Sequence, residues 1–436
     1  GIRDELQSRG LGDVYKRQEV VPSEYNGIRV SVINSRAFSG ETRLQNIYLP
    51  ASIQTIGEGA FSRCSGLKTV TFEGNSRLTL IYAAAFSSCT ALEEIAFGDY
   101  VEEIRSTAFE NCTSLKKVTF GNAVTEIGFR AFAKTPIAEI TIPESVQTIG
   151  NYAFTNCSDL TLIHYNAVNA QTEGSTFYNA GNDTDGITAV IGDKVETIPA
   201  ELFLRANLAE VQFGASVKTI GESSFSRCGE LITHFTIPAT VTAIDAYAFD
   251  GCDALESVTI EGAPTIGNCA FYECEALAEI DLGGATQIGD QAFRGCTALT
   301  RITIPGSATA IGESAFYGCS ELPSVTIGSG TETIGTRAFF NCRKLAEVAL
   351  GEGLLTIGTN AFQNCAALKT LTIPASMTEI GMSAFYGVTF DSVIFRQPAG
   401  WKNADSGTAV EHSVLADPAS AAEFISGYNS HIIRNA

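Results

Sequence analysis

The chain has 436 residues, of which 28 are Lys or Arg and 48 are Asp or Glu, giving a formal net charge of -20. That excess sets like charge against phosphate backbones and anionic lipid, which counts against nucleic acid and membrane surfaces as partners and favours neutral or basic ligands. No stretch approaches the roughly eighteen consecutive apolar residues of a membrane span, so direct membrane insertion of this chain is not expected.

In chain order, residues 8–18 read SRGLGDVYKRQ and resemble the in-frame translation of a transposase adapter used in DNA library preparation. Residues 1–18 are therefore set aside as a non-native segment. The natural start, with any secretion signal or anchor, is expected to lie upstream. From Glu19 the sequence enters midway through a repeat, because Val20, Val21 and Pro22 match the strand end and proline of later coils. Phe38, Phe61, Phe86 and Phe109 then open a series that runs to Phe385 at intervals of 22 to 26 residues. Aligned on that residue, the unit reads I-G-x-x-A-F-x-x-C-x-x-L-x-x-V-x-I-P-x-x-V-x-x. In the coil that starts at Phe362, Leu368, Leu371 and Ile373 predict a short strand with alternate residues inward. Pro374, like Pro143, Pro238 and Pro305, lacks an amide hydrogen and should end the ladder. Ile380 and Gly381 predict a second extended step and a turn, with the glycine supplying a positive φ. The segment MSAFYG has room for no more than one turn of helix. The predicted fold is a repeat solenoid, a leucine-rich-repeat-like right-handed stack of about sixteen 22–26-residue coils with a parallel β-sheet and short helical turns. It should occupy residues 19–395.

Twelve cysteines accompany the repeat, and Cys269 alone does not sit three residues after a ladder phenylalanine. A straight file of parallel side chains suits neither a disulfide, which needs the two Cβ atoms turned toward each other, nor a tetrahedral zinc site. Thr135, Ala180, Ala206 and Val388 fill the same slot elsewhere, with Glu41 in the first coil. Small, buried, free thiols are the expectation, and no cofactor or metal is called for. Between Phe154 and Phe203 the wording weakens. Residues 179–186, NAGNDTDG, fail as an EF-hand loop, because Gly181 and Gly192 stand where an oxygen ligand and a twelfth-position acid are required; a polar bulge is expected there. In the closing segment 396–436, Asp417 should cap a short helix over 418–428 with Pro418 at its first position, covering the last strand edge.

The unit resembles the BspA-type leucine-rich repeats of bacterial and some parasite surface proteins, across nearly the whole chain after residue 18. The resemblance implies non-enzymatic binding at the cell surface or outside the cell, to a protein or glycan ligand on host or neighbouring cells, by a monomer. It fixes no ligand-contacting residue. The period itself supplies candidates on the outward side of the longer strands: Thr69, Thr71, Lys117, Thr119, Glu139, Thr141, Glu210, Gln212, Glu279, Asp281, Arg301 and Thr303. Tyr178, Tyr272, Tyr317, Phe340 and Tyr386, each after a ladder phenylalanine, either join such a surface or shield the turn. Catalysis has one candidate, Glu279 with Asp281 roughly 7 Å apart on a strand, compatible with an inverting glycosidase pair. It lacks a third acid or an aromatic subsite. The four histidines fall in separate places and read as surface or edge residues. The competing function is a passive spacer or an intracellular interaction scaffold.

Overall fold

The computed structural model describes residues 18–228, 232–427 and 431–434. They form two compact units, one ending at Val217 and the other starting at Lys218. Each unit is a parallel β-solenoid, with about sixteen turns in all. Every turn contributes a strand of two to five residues to one sheet and, in all but a few, a two-residue strand to a second. In the first unit the longer strands include Glu94–Ala96, Lys117–Thr119, Glu139–Ile142, Leu162–Tyr165, Ile187–Ile191 and Leu208–Gln212, paired in chain order. The second unit repeats the pattern, as where His234–Ile237, Ser257–Ile260 and Glu279–Asp281 lie side by side.

Alternation decides which residues are buried. In Glu139–Ile142 the two isoleucines are buried, and Glu139 and Thr141 are exposed. The stack is in register, so Ile127 faces Ile104 on one side and Ile149 on the other. Ile142, Ile237, Ile304 and Ile373 end their strands directly before Pro143, Pro238, Pro305 and Pro374, as the missing amide hydrogen requires.

Between the short and long strands lies the phenylalanine turn. It is not helical. The amides of Gly59, Phe61 and Arg63 donate to the carbonyls of Ala83, Ala85 and Ser87 in the next coil, while Ala60, Ser62 and Cys64 close i−3 turns within their own coil. Alternation of this kind needs a left-handed residue on each side of the phenylalanine; around Phe362 these are Asn360 at φ 57° and Asn364 at φ 63°. A continuous helical turn would direct all those amides along the chain and leave the coil-to-coil ladder unmade. Within each unit the phenylalanine rings stack one on the next, from Phe38 on Phe61 at 5.0 Å to Phe362 on Phe385 at 5.5 Å. Offset stacking of this sort adds about 0.5–1.5 kcal/mol per pair to the burial itself.

The thiols complete the same turn. All twelve cysteines are free and buried. The carbonyl of Phe316 accepts the amide of Cys319 at 3.3 Å and the thiol of Cys342, one coil on, at 3.2 Å. The same thiol bond recurs along both units, for example Cys89 to Phe61 at 3.1 Å and Cys274 to Phe249 at 3.0 Å. The slot therefore wants a small apolar group with one weak donor, which is what cysteine offers. Thr135 meets the need differently, donating to Phe132 of its own coil at 2.7 Å. Burial pushes the Cys112 and Cys296 thiols up to about 12, and Cys157 up to about 11.

One expectation changes. Gly381 and its counterparts are not there for positive φ. Their role is close approach: a Cβ on Gly335 would lie 2.6 Å from the carbonyl carbon of Gly312, and one on Gly381 would lie 2.5 Å from the amide nitrogen of Thr359. Gln18, the last of the residues set aside as adapter-like, opens the strand Gln18–Val20 and pairs with Asn46. Residues 1–17 lie outside the described residues. The strands Glu24–Tyr25 and Ile28–Arg29 make an antiparallel hairpin through Asn26 at φ 51° and Gly27 at φ 78°, the two positive values of a type I′ turn.

At the other end, Asp417 accepts the amide of Ser420 at 2.8 Å and caps the helix Pro418–Gly427; Tyr428 lies outside the described residues. This helix packs on the strand Ser392–Phe395, and a second short helix, His412–Ala416, accompanies it. Ile432–Arg434 adds antiparallel to Glu379–Ile380 and to Trp401–Asn403.

Two outcomes follow from this packing. Gly335→Ala should cost about 1–3 kcal/mol by forcing two backbones apart, whereas Gly306→Ala, whose Cβ would meet nothing nearer than 4.0 Å, should stay within about 0.5 kcal/mol; urea unfolding of the two variants checks this. The second concerns alkaline pH. A buried thiol titrating near 12 holds its proton while the unfolded thiol, near 9, has lost it, so unfolding releases protons and stability falls as pH rises from about 9 to about 12. Below about 8 the thiols contribute no slope. In native protein Cys112, Cys157 and Cys296 should add no thiolate absorbance below pH 10, whereas Cys64, lowered by its hydrogen bond with Cys89, should ionise earlier, and a native midpoint near 9 for all the thiols would contradict the buried ladder.

Candidate binding face

The longer strands turn every second side chain away from the core, and this builds the candidate surface. All twelve residues expected on it are exposed. They fall into rows set by the register. In the first unit Lys117 stands between Glu94 and Glu139, Thr119 lies beside Ala96, and Thr141 lies beside His164. Thr69 donates its hydroxyl to Asn46 Oδ1 at 2.6 Å, and Thr71 neighbours Tyr48. Gln212 donates to Glu210 at 3.0 Å on the strand next to a register shift between Ile187 and Thr188, the bulge expected in the irregular region. Thr184 secures that bulge, donating to the Gly181 carbonyl at 2.8 Å and accepting from the Gly186 amide at 3.2 Å.

In the second unit, Glu279 lies between Ser257 and Arg301, and Asp281 beside Thr259. Asp281 accepts the Gly283 amide at 3.0 Å, and Thr303 faces Thr326. His234 Nδ1 and Ser257 Oγ are 2.7 Å apart in the same row. The carboxylate pair is thus flanked by hydroxyls and a guanidinium.

One part of the face is concave. A groove of about 990 Å³ runs over the strands Lys117–Thr119, Glu139–Ile142 and Leu162–Tyr165. It gathers four of the expected residues, Lys117, Thr119, Glu139 and Thr141, with Lys116, Asn122, Glu144, His164 and Asn166 around them. Those five were not singled out from the sequence. His164 could have been, since the period places it in the row of Thr119 and Thr141; the others flank the strands in turns, where the repeat wording is loose. Glu144 at the rim pairs with Lys194 at 2.9 Å. The remaining expected residues lie outside this groove.

Of the aromatic residues after the ladder phenylalanines, Tyr178 has Arg205 against its ring and Tyr272 and Tyr317 share Arg294, while Tyr386 is half exposed. Tyr317 and Phe340 stack on each other at 4.9 Å and 3°, and the Arg294 guanidinium lies 4.6 Å from the Tyr317 ring centre. Tyr317 and Phe340 thus cover one face of each other. Among the described residues no group of three or more His, Cys, Asp or Glu is placed to hold a metal ion, and no helix is long and apolar enough to cross a membrane.

Comparison with known proteins accords with this architecture. No curated protein matches the chain. Among solved structures, a leucine-rich repeat protein from Bacteroides ovatus ATCC 8483 is 26% identical, with a TM-score of 0.61 over 83% of this chain and 88% of that one. A leucine rich cell surface protein from Faecalibacterium prausnitzii A2-165 is also 26% identical, with a TM-score of 0.34 over 76% and 87%. The pneumococcal vaccine antigen PcpA is 21% identical, with a TM-score of 0.39 over 86% and 84%. The description "BspA type Leucine rich repeat region" fits residues 31–161, 171–299 and 264–391, most of the sequence, and the chain belongs to that family.

Proposed function

We propose that the chain is a non-enzymatic binding protein of the cell surface or its surroundings, engaging a protein or glycan on host or neighbouring cells through the outward face of its longer sheets. The observation that carries this reading is the groove over Lys117, Thr119, Glu139 and Thr141, where exposed polar side chains stand on a backbone held by buried isoleucine and valine. Such a surface is pre-organised, so binding need not meet the entropy of ordering a loop. The repeat family and its extended sheet support the same reading, since solenoids present their partners with a long continuous surface. The excess of acidic residues suits neutral or basic partners.

Residues 19–436 should bind saturably, at micromolar concentration, to at least one of a panel of matrix proteins, epithelial cells and bacterial cells. Thr119→Arg with Thr141→Arg should reduce that binding about tenfold or more, and Tyr317→Ala on the turn side should leave it unchanged. Binding that survives the face variants would move the site elsewhere, and no binding at all would favour a passive spacer. Antibodies raised against the same fragment should label intact cells of the source organism, whereas labelling only after permeabilisation would favour an intracellular scaffold.

A further inference from the structure

The groove permits a narrower statement about its ligand, one that rests on the binding reading above. Its lining carries Lys116 and Lys117 against Glu139 and Glu144, two cations against two anions, in a chain whose net charge is -20. Glu144 is further offset by Lys194 at 2.9 Å. A charged ligand would therefore gain little here from charge alone, and a basic one has more acidic surface elsewhere.

The backbone is also spoken for. The strand of Lys117 is bounded on both sides by parallel neighbours, in register with Glu94 and Glu139, so no free edge is available for an added peptide strand. The groove also has an apolar side, Phe120, Ala138 and Pro143, but Phe120 is half-buried against Phe97 and Phe132 and Val118 and Ile140 point into the core, so no continuous apolar stripe is left to seat an amphipathic helix. Beside these apolar groups stands a set of donors and acceptors: ammonium, carboxylate, imidazole, hydroxyl and the amides of Asn122 and Asn166. Charged groups make the stronger hydrogen bonds to neutral hydroxyls, and a ligand that offers both donor and acceptor at every position uses all of them.

We propose that this groove takes an uncharged, hydroxyl-rich ligand, a neutral glycan chain. Its volume of about 990 Å³ lies at the upper end of the range for small-ligand sites, enough for several sugar rings lying across the strands. Lys117 and Glu139, adjacent in register, bridge neighbouring hydroxyls, and the asparagine amides read their orientation.

The test is an array of neutral and charged glycans, followed by calorimetric titration with hexasaccharides of β1,4-glucan, β1,4-mannan, β1,4-xylan and β1,3-glucan, with hexagalacturonate and hexalysine as charged controls. At least one neutral glycan should bind saturably, and Glu139→Ala and Asn166→Ala should each weaken it about tenfold. Glu139 is exposed and Asn166 half-buried, and circular dichroism checks that the fold is kept. Tighter binding of either charged control than of every neutral glycan would overturn the proposal, as would neutral binding indifferent to both variants. If no neutral glycan binds while cells or matrix still bind and Thr141→Arg abolishes that, the glycan inference falls and the face survives. If nothing binds at all, both fall.

Discussion

Each coil donates alternate amides of its phenylalanine turn to the next coil, and nearly everything else in the structure depends on that ladder. The bonds are short, 2.7 Å from Phe61 to Ala85 and 2.7 Å from Phe339 to Ala361. They require a backbone that switches hand twice in five residues, and this in turn fixes where the rings stack and where the thiols point. A lone coil of this length could bury almost nothing, since its apolar residues find partners only above and below. Stability is therefore a property of neighbours, and a local change such as a methyl at Gly335 is felt by two coils at once.

Against that background the cysteine file is a solution to a hydrogen-bonding problem. A ladder phenylalanine carbonyl has two lone pairs in a dry interior, and the amide three residues on satisfies one of them. A serine would add a stronger donor at greater desolvation cost, and alanine would leave the second lone pair empty. Cysteine lies between the two, and at Cys112, Cys157 and Cys296 burial raises the thiol's titration and keeps it protonated in the role of donor.

Much of this was legible in the sequence because the period repeats its own evidence. Phe109, Leu115, Val118 and Ile127 declare a buried position in one coil and are seconded by Phe132, Ile137, Ile140 and Ile149 in the next. The prolines marked strand ends for a simple covalent reason. Less legible was the turn. Its signal lay in the asparagines and glycines before the cysteines, as in Asn341, Asn364 and Gly295, whose tolerance of positive φ gives the reversal of hand. The glycines after the short-strand isoleucines could not be read correctly from their own coil, because the atoms that exclude a side chain belong to the coil before. The hairpin at Asn26 and Gly27 was plainly written but short. For the face, the period could nominate outward residues in every coil but had no means to choose among them. The concavity at Lys117 and Glu139 comes from how three particular strands and their turns lie together.

The final strand, Ile432–Arg434, runs antiparallel to Glu379–Ile380. A parallel stack has two unlike ends, and the trailing end of one copy is in principle a template for the leading end of another, a head-to-tail contact that does not close and so grows into a filament. Ile432–Arg434 has no free edge of its own, since Trp401–Asn403 pairs along its far side and Lys402 is bridged in turn to Ala409. An incoming coil would find the place beside Glu379–Ile380 already taken. The tail thus fills, with residues of the same chain, the place on the short-strand sheet that a further parallel coil would take.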